Sequence, residues 1–200
     1  PDGGRVLEIG CGTGRNLVVA ARANPRALFY GVDISAQMLK TASAKAASAG
    51  VDERIITRAG DAETFDACRS FQLQRFQRVV FSYSLSMVPD GQRAFTNALD
   101  QLSDDGSLHI VDFGEMERWP GFARNAMQKW LGRFHVAPPA NMAGVIERLA
   151  AERGLTTSAR TLAGGYSVLI VVSKDPVPAA RKPTDTSDCD DVTFIHKMIP

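Results

Sequence analysis

Leu7-Glu8-Ile9-Gly10-Cys11-Gly12-Thr13-Gly14 is the stretch that decides how this chain folds. The apolar residues running into it from Arg5 read as a short buried strand, and a helical apolar pattern takes over near Asn16. Between the two stand glycines on alternate positions. Without a Cβ, Gly10, Gly12 and Gly14 let the main chain turn sharply and let a ligand approach it closely. In open α/β sheets ligands bind at the carboxyl ends of strands, so the residues that turn the chain also mark a binding site. The spacing departs from the dinucleotide fingerprint G-x-G-x-x-G: Gly14 arrives one position early, and Arg15 stands where the last glycine belongs. A nicotinamide-dependent dehydrogenase is disfavoured on that ground.

Nineteen residues past Gly14, Asp33 closes a second apolar run in Gly31-Val32-Asp33-Ile34-Ser35. An acidic side chain there is placed to accept hydrogen bonds from ribose hydroxyls. Its other reading, a helix N-cap, is weaker because Ser35 fills that role. Ile34 and Met38 beside it either pack on an adenine face or belong to the core. Further out, the pattern predicts helices over 16–23 and 35–49, the second ended by Gly50, and strands over 28–32, 54–58 and 78–82 with a short segment 62–74 between the last two. A helix over 90–102, a turn at Asp104-Asp105-Gly106, a strand over 107–112 and helices over 120–134 and 141–153 follow. Strands over 155–161 and 166–172 close the pattern. Alternating strands and helices imply parallel pairing through right-handed crossovers. Only the short link at Gly164-Gly165 separates the last two strands, so those form an antiparallel hairpin. The fold expected is α/β: a Rossmann-like, doubly wound, mostly parallel sheet of seven strands with a C-terminal antiparallel hairpin, in one domain over 1–173. From 174 to 200 the composition turns to Pro, Asp, Thr and Ser, which predicts a disordered tail.

Lys and Arg number 23 against 22 Asp and Glu, so no global field draws in nucleic acid. Cys11, Cys68 and Cys189 are an odd count without paired spacing, which argues against a disulfide framework and for the cytoplasm. Neither a metal-ligand spacing nor an apolar run near the ~20 residues of a membrane span is present.

The fourth strand runs out through Phe81-Ser82-Tyr83-Ser84-Leu85-Ser86-Met87, which by the switch-point rule borders the pocket beside the first strand and places the acceptor of the chemistry there. Tyr83 offers a phenol and a π-face that orient an amine and hold a cation; the plainer reading is a half-buried tyrosine with its hydroxyl satisfied. Asp112 ends the fifth strand and either completes a polar wall with Tyr83 and Ser84 or caps a loop. His109 lies mid-strand and reads as a packed core residue, whereas His135 follows a helix end near the mouth, where it either meets substrate or steadies that terminus.

Glu8-Ile9-Gly10-Cys11-Gly12-Thr13-Gly14, then Asp33, Gly60-Asp61-Ala62 and the terminal hairpin, in that order, resemble class I S-adenosylmethionine-dependent methyltransferases over 5–172. The resemblance implies S-adenosylmethionine as methyl donor, S-adenosylhomocysteine as product and no metal. It implies a donor site of Glu8, Gly10, Cys11, Gly12, Gly14, Asp33, Ile34, Met38, Gly60, Asp61, Ala62 and Ser82, in which Asp61 takes the adenine amino group and the Ala62 N–H meets a ring nitrogen. More narrowly, 82–90, 109–114, Arg133-Phe134-His135-Val136 and Gly165-Tyr166 look like the bacterial betaine-lipid enzymes, which N-methylate diacylglyceryl homoserine stepwise. On that likeness Tyr83, Ser84 and Asp112 are the catalytic wall, and Tyr83, Arg133, His135 and Tyr166 bind substrate. Such enzymes carry helices ahead of the first strand that cover the donor, and those are expected upstream of Pro1. Trp119, Phe122, Trp130 and Phe134 share 115–136 with Arg118, Arg124, Lys129 and Arg133, a basic amphipathic helix that either rests peripherally on an anionic inner-membrane surface or packs into the core. The competing functions are a methyltransferase for a soluble small molecule or quinone precursor, and a donor-binding regulatory protein without catalysis.

Overall fold

The computed structural model describes residues 3–114, 121, 141–162 and 165–174. Along the chain run β1 (Arg5–Ile9), α1 (Arg15–Ala23), β2 (Leu28–Asp33), α2 (Ala36–Ser48), β3 (Ile55–Ala59), α3 (Ala67–Phe71), β4 (Phe76–Ser82), α4 (Gly91–Asp100), β5 (Leu102–Phe113), α5 (Met142–Ala151), β6 (Thr156–Leu162) and β7 (Ser167–Ser173). The strands form one seven-stranded sheet in the order β3-β2-β1-β4-β5-β7-β6. β3 through β5 are parallel, while β7 enters antiparallel between β5 and β6. The chain therefore reverses direction between β1 and β4, where the two halves of the sheet part and ligands bind.

Strand periodicity sends alternate side chains to opposite faces, and the burial follows it. Leu7, Ile9, Val32, Phe81 and Ile110 face one side and pack with Phe95, Leu99 and Ile146 of α4 and α5. Val6, Phe29 and Val80 face the other and meet Leu17 and Ala21 of α1 and Leu39 and Ala46 of α2. A Phe81→Ala truncation, at a side chain without solvent exposure, would cost about 3–5 kcal/mol. Helix starts follow their capping chemistry: Ser35 Oγ accepts from Met38 N, Asp66 Oδ1 from Arg69 N, and Asp90 Oδ1 from Arg93 N. Helix α1 has no such side chain. Its N-cap is Gly14 at φ +69°, and a Cβ there would stand 2.8 Å from that of Ala42, so glycine lets α2 close against the turn.

One expectation fails along β5. The turn predicted at Asp104-Asp105-Gly106 is instead an irregularity inside a longer strand: Phe76 pairs with Leu102, and Arg78 next pairs with Ser107. Phe76 N donates to Gln101 O, so pairing begins before the charged residues, and these bulge because one β4 residue, Gln77, faces four on β5, Ser103 to Gly106. The segment 62–74 yields helix only at Ala67–Phe71. The helix expected over 120–134 and the tail beyond 174 lie outside the described residues. No helix among those described is long and apolar enough to cross a membrane.

Candidate active site

The turn after β1 is fastened to β2 by main-chain bonds: Gly10 N and Cys11 N both donate to Val32 O, at 2.7 and 3.0 Å. Gly10 sits at φ +74°, and a Cβ on it would fall 2.5 Å from Ser84 Cβ. Ser84 Oγ in turn donates to Ile9 O at 2.8 Å, which draws the ends of β1 and β4 together. Gly12, at φ +51°, has nothing within 4 Å of where its Cβ would stand. Its N–H donates to Asp33 Oδ2 at 2.7 Å, while Asp33 Oδ1 accepts from Ser35 N at 2.9 Å. Asp33 thus braces the glycine turn and the start of α2 together. Gly60 N donates to Asp33 O at 3.1 Å, bringing the loop after β3 to the same place, where Asp61 Oδ1 accepts from Glu63 N.

These ends enclose a cleft of about 530 Å³ whose walls include Gly10, Gly12, Asp33, Ile34, Met38, Gly60, Asp61, Ala62, Tyr83 and Ser84. Ile34 is 77%, Met87 56% and Met38 44% exposed, and all three line this cleft. Three large apolar side chains left open in one polar-edged hollow point to a flat apolar ligand with polar substituents. An adenosyl group meets that description: open main chain at Gly12, a carboxylate at Asp33, apolar faces at Ile34 and Met38.

Four residues expected in the donor site stand outside the cleft wall. Glu8 points to the α1 face of β1, is 3% exposed, and accepts from Asn16 Nδ2 through Oε1 at 2.8 Å. Among the described residues its Oε2 lacks a partner. Burial, with help from nearby Asp33 and against the Asn16 bond, raises the Glu8 carboxyl from 4.5 to about 7. Cys11 turns its side chain into the core beside Leu17, and burial pushes its thiol far above the usual range. Gly14 lies under α2, and Ser82 pairs with Val111 inside the sheet. Glu63, Met87, Val88 and Pro89 line the cleft without having been expected as donor-site residues. Glu63 follows Gly60-Asp61-Ala62 and Met87 to Pro89 continue the run out of β4, so their place beside those stretches was the signal for them.

On the acceptor side Tyr83 stands at φ +52°, its N–H donating to Val111 O at 2.7 Å. Phe113 lies 4.9 Å from its ring and Tyr166 6.5 Å, with Phe113 and Tyr166 edge to face at 5.7 Å. Tyr83 and Tyr166 therefore stand near each other, linked through a phenylalanine the sequence did not single out. Ser84 lines the cleft with its proton engaged by Ile9 O. Asp112 does not face the cleft: its side chain is fully enclosed and binds Ser86 N at 2.8 Å, Ser86 Oγ at 2.6 Å and Phe113 N at 2.8 Å. The loop-holding alternative for Asp112 is the one that the geometry matches, because three donors already surround its carboxylate. His109 is a buried core residue whose Nε2 meets Ser107 Oγ at 2.7 Å, and burial lowers it to about 3, so it is neutral. Arg133 and His135 lie outside the described residues. Among the described residues no group of His, Cys, Asp and Glu could hold a metal ion.

Comparison with known proteins agrees with this architecture. The sequence profile described as methyltransferase domain matches residues 1–157. No curated protein sequence matches the chain. Among solved structures, the YcgJ protein from Bacillus subtilis aligns over 88% of this chain and 94% of its own, at 17% identity and TM-score 0.63. An O-methyltransferase family 2 protein from Planctomyces limnophilus in complex with apigenin aligns over 87% of this chain at 19% identity and TM-score 0.68, covering 52% of its own length. The O-methyltransferase NcsB1 of neocarzinostatin biosynthesis, in complex with S-adenosylhomocysteine and 1,4-dihydroxy-2-naphthoic acid, aligns over 86% at 16% identity and TM-score 0.65, covering 49% of its own. The chain thus spans about half the length of these O-methyltransferases.

Proposed function

This chain belongs to the methyltransferase-domain family, and from that premise we propose that it moves the methyl group of S-adenosylmethionine onto an amine nitrogen in a homoserine lipid headgroup. The observation that carries the donor half is the make-up of one cleft, with the Asp33 carboxylate and the open Gly12 main chain facing exposed Ile34 and Met38. After accepting from Gly12 and Ser35, each Asp33 oxygen keeps a lone pair for a ribose hydroxyl. Ile34 and Met38 supply the apolar faces for an adenine ring, and Asp61 and the Ala62 main chain meet its edge.

The donor supplies a methyl group already activated by its sulfonium, so the protein's task is alignment. Tyr83 directs the amine lone pair along the transfer line through its hydroxyl, and its ring face favours the cation left on nitrogen by about 0.5–2 kcal/mol. A neutral amine needs no strong base, and the described cleft residues offer carboxylates, hydroxyls and a phenol with no histidine or lysine. Arg133 would pair with the headgroup carboxylate and the basic, aromatic segment 115–136 would rest on the membrane surface.

A second reading, a soluble hydroxylated aromatic acceptor, is favoured by the packed rings of Tyr83, Phe113 and Tyr166, which would stack against a planar molecule. Calorimetric titration with S-adenosylhomocysteine and with NAD tests the donor: binding of the first alone is expected, and binding of NAD alone would overturn the assignment. Labelled donor with diacylglyceryl homoserine and, separately, with 1,4-dihydroxy-2-naphthoate decides the acceptor. Transfer to the naphthoate with none to the lipid removes the amine reading and leaves the methyltransferase.

A further inference from the structure

We propose that Asp112 and Ser86 set the size of acceptor this site admits, by fixing the turn that divides the donor cleft from a second, largely apolar cavity. The inference rests on the methyltransferase reading, since it concerns the far wall of the same cleft. After β4 the chain makes a 3₁₀ turn at Leu85–Met87 and continues through Val88 and Pro89 to the Asp90 cap of α4. On one side of this stretch lies the 530 Å³ cleft, lined by Met87, Val88 and Pro89. On the other lies a cavity of about 260 Å³ between α4 and α5, lined by Leu85, Ser86, Val88 and Pro89 together with Phe95 and Met142. Val88 and Pro89 belong to both walls, so the partition is a single thickness of chain.

What holds that partition is unusual for an apolar neighbourhood. Leu85 and Ser86 are buried, whereas Met87 stands 56% exposed into the cleft, so the side-chain anchor is at the base of the turn, while Met87 N to Ser84 O and Val88 N to Leu85 O close the turn itself. The anchor is the fully enclosed Asp112, which takes both the N–H and the hydroxyl of Ser86. An apolar side chain at 112 would leave the N–H groups of Ser86 and Phe113 without this acceptor. A carboxylate adds direction: two donors of one residue fixed by two oxygens leave the turn one orientation. The donor side is fastened separately, through Val32 O, Ile9 O and Asp33, none of which involves Asp112. Loosening Ser86 should therefore let the partition swing and open the second cavity to the acceptor, with the donor undisturbed.

The test uses the full chain saturated with S-adenosylhomocysteine, and compares Ser86→Ala, Ser86→Thr and Asp112→Asn with the parent protein. Toluene and naphthalene serve as apolar probes of two sizes, their Kd values read by NMR titration. In Ser86→Ala the affinity ratio should move toward naphthalene by about tenfold, the scale of one lost hydrogen bond to a charged group. Ser86→Thr, which keeps the hydroxyl, should restore the parent ratio, and the Kd for S-adenosylhomocysteine should stay within about twofold, as for independent sites. Hydrogen exchange at 86–88 should quicken in the alanine variant. An unchanged probe ratio despite faster exchange would make the pair merely structural and overturn the proposal, as would a parallel fall in S-adenosylhomocysteine affinity. A kinetic arm asks whether kcat/KM shifts from homoserine toward its O-octyl ether. If the parent protein binds S-adenosylhomocysteine and methylates neither, the amine reading fails on its own, and the probe ratio still decides the partition.

Discussion

Asp33 and Asp112 stand at the carboxyl ends of β2 and β5, and each accepts a main-chain N–H from the loop that follows another strand. Asp33 lines the cleft with part of its surface open, while Asp112 is wholly enclosed. The first binds Gly12 N and Ser35 N with one oxygen each; the second spends both oxygens on Ser86 and one of them also on Phe113. An aspartate ending a strand is thus a ligand group or a bracket according to whether its remaining lone pairs face space. Residue type and register do not distinguish the two.

The contrast breaks most sharply at Gly10, the point where the Asp33 side of the cleft touches β4. Gly10→Ala puts a Cβ 2.5 Å from Ser84 Cβ at a positive φ, so affinity for S-adenosylhomocysteine should fall by about 3 kcal/mol or more, read by calorimetry. Unchanged binding would mean that the turn is not the donor's seat. Next in size is Glu8, the carboxylate between the two aspartates, buried and half satisfied. Its pKa is about 7 in the fold against 4.5 ordinarily, so between those values the native state holds a proton that the unfolded chain has lost. Stability contributed by this group is full below about 4.5 and is lost as pH rises to about 7, at most ~3 kcal/mol. Glu8→Gln should flatten that slope in urea unfolding followed across pH; a slope equal to the parent's would place the proton elsewhere.

Smaller effects sharpen the comparison. Asp33→Ala should weaken binding of S-adenosylhomocysteine by about 1–3 kcal/mol, the range for hydrogen bonds to a charged group. Full affinity would remove Asp33 from the site and leave it, like Asp112, a bracket. The smallest shift is expected at Tyr83, whose φ of +52° costs a side chain about 1–2 kcal/mol. Tyr83→Gly should relieve that strain while it removes ring packing on Phe113, so the melting temperature should move little. Methyl transfer should drop steeply, far more than in Tyr83→Phe, which keeps the ring. Equal loss in the two variants would assign the effect to the hydroxyl.

The Asp33 side of the cleft was legible because its parts are local. Gly10, Gly12 and Asp33 fall within one β-α-β unit, and the bond from Gly12 N to Asp33 joins residues 21 apart. Each carries a residue type that the turn or the carboxylate role demands. Glu8 and Cys11 share the motif yet turn inward, because alternation along β1 and the close approach of α1 decide the face, and a motif does not state the face. The surroundings of Tyr83 and Ser86 are built from residues far apart in sequence, Tyr83 with Phe113 and Tyr166, and Ser86 with Asp112. Only the packed sheet brings those together. The missed start of β5 has the same origin, since Asp104, Asp105 and Gly106 carry the chemistry of a turn and the pairing of Phe76 with Leu102 overrides it.

The insertion of β7 between β5 and β6 carries a consequence for synthesis. β6 pairs with β7 and with no other described strand, so until residues 167–173 have left the ribosome it has no edge to join. During translation β1 through β5 can assemble in order, while the later edge waits with β5 open on its outer side. Completing the sheet then depends on the last strand threading into place, a long-range closure of the kind that slows folding. A ribosome stalled before residue 167 would leave β6 unpaired and one edge of β5 open, and the nascent chain would expose the apolar row of Val111 and its neighbours to whatever chaperone stands at the tunnel exit.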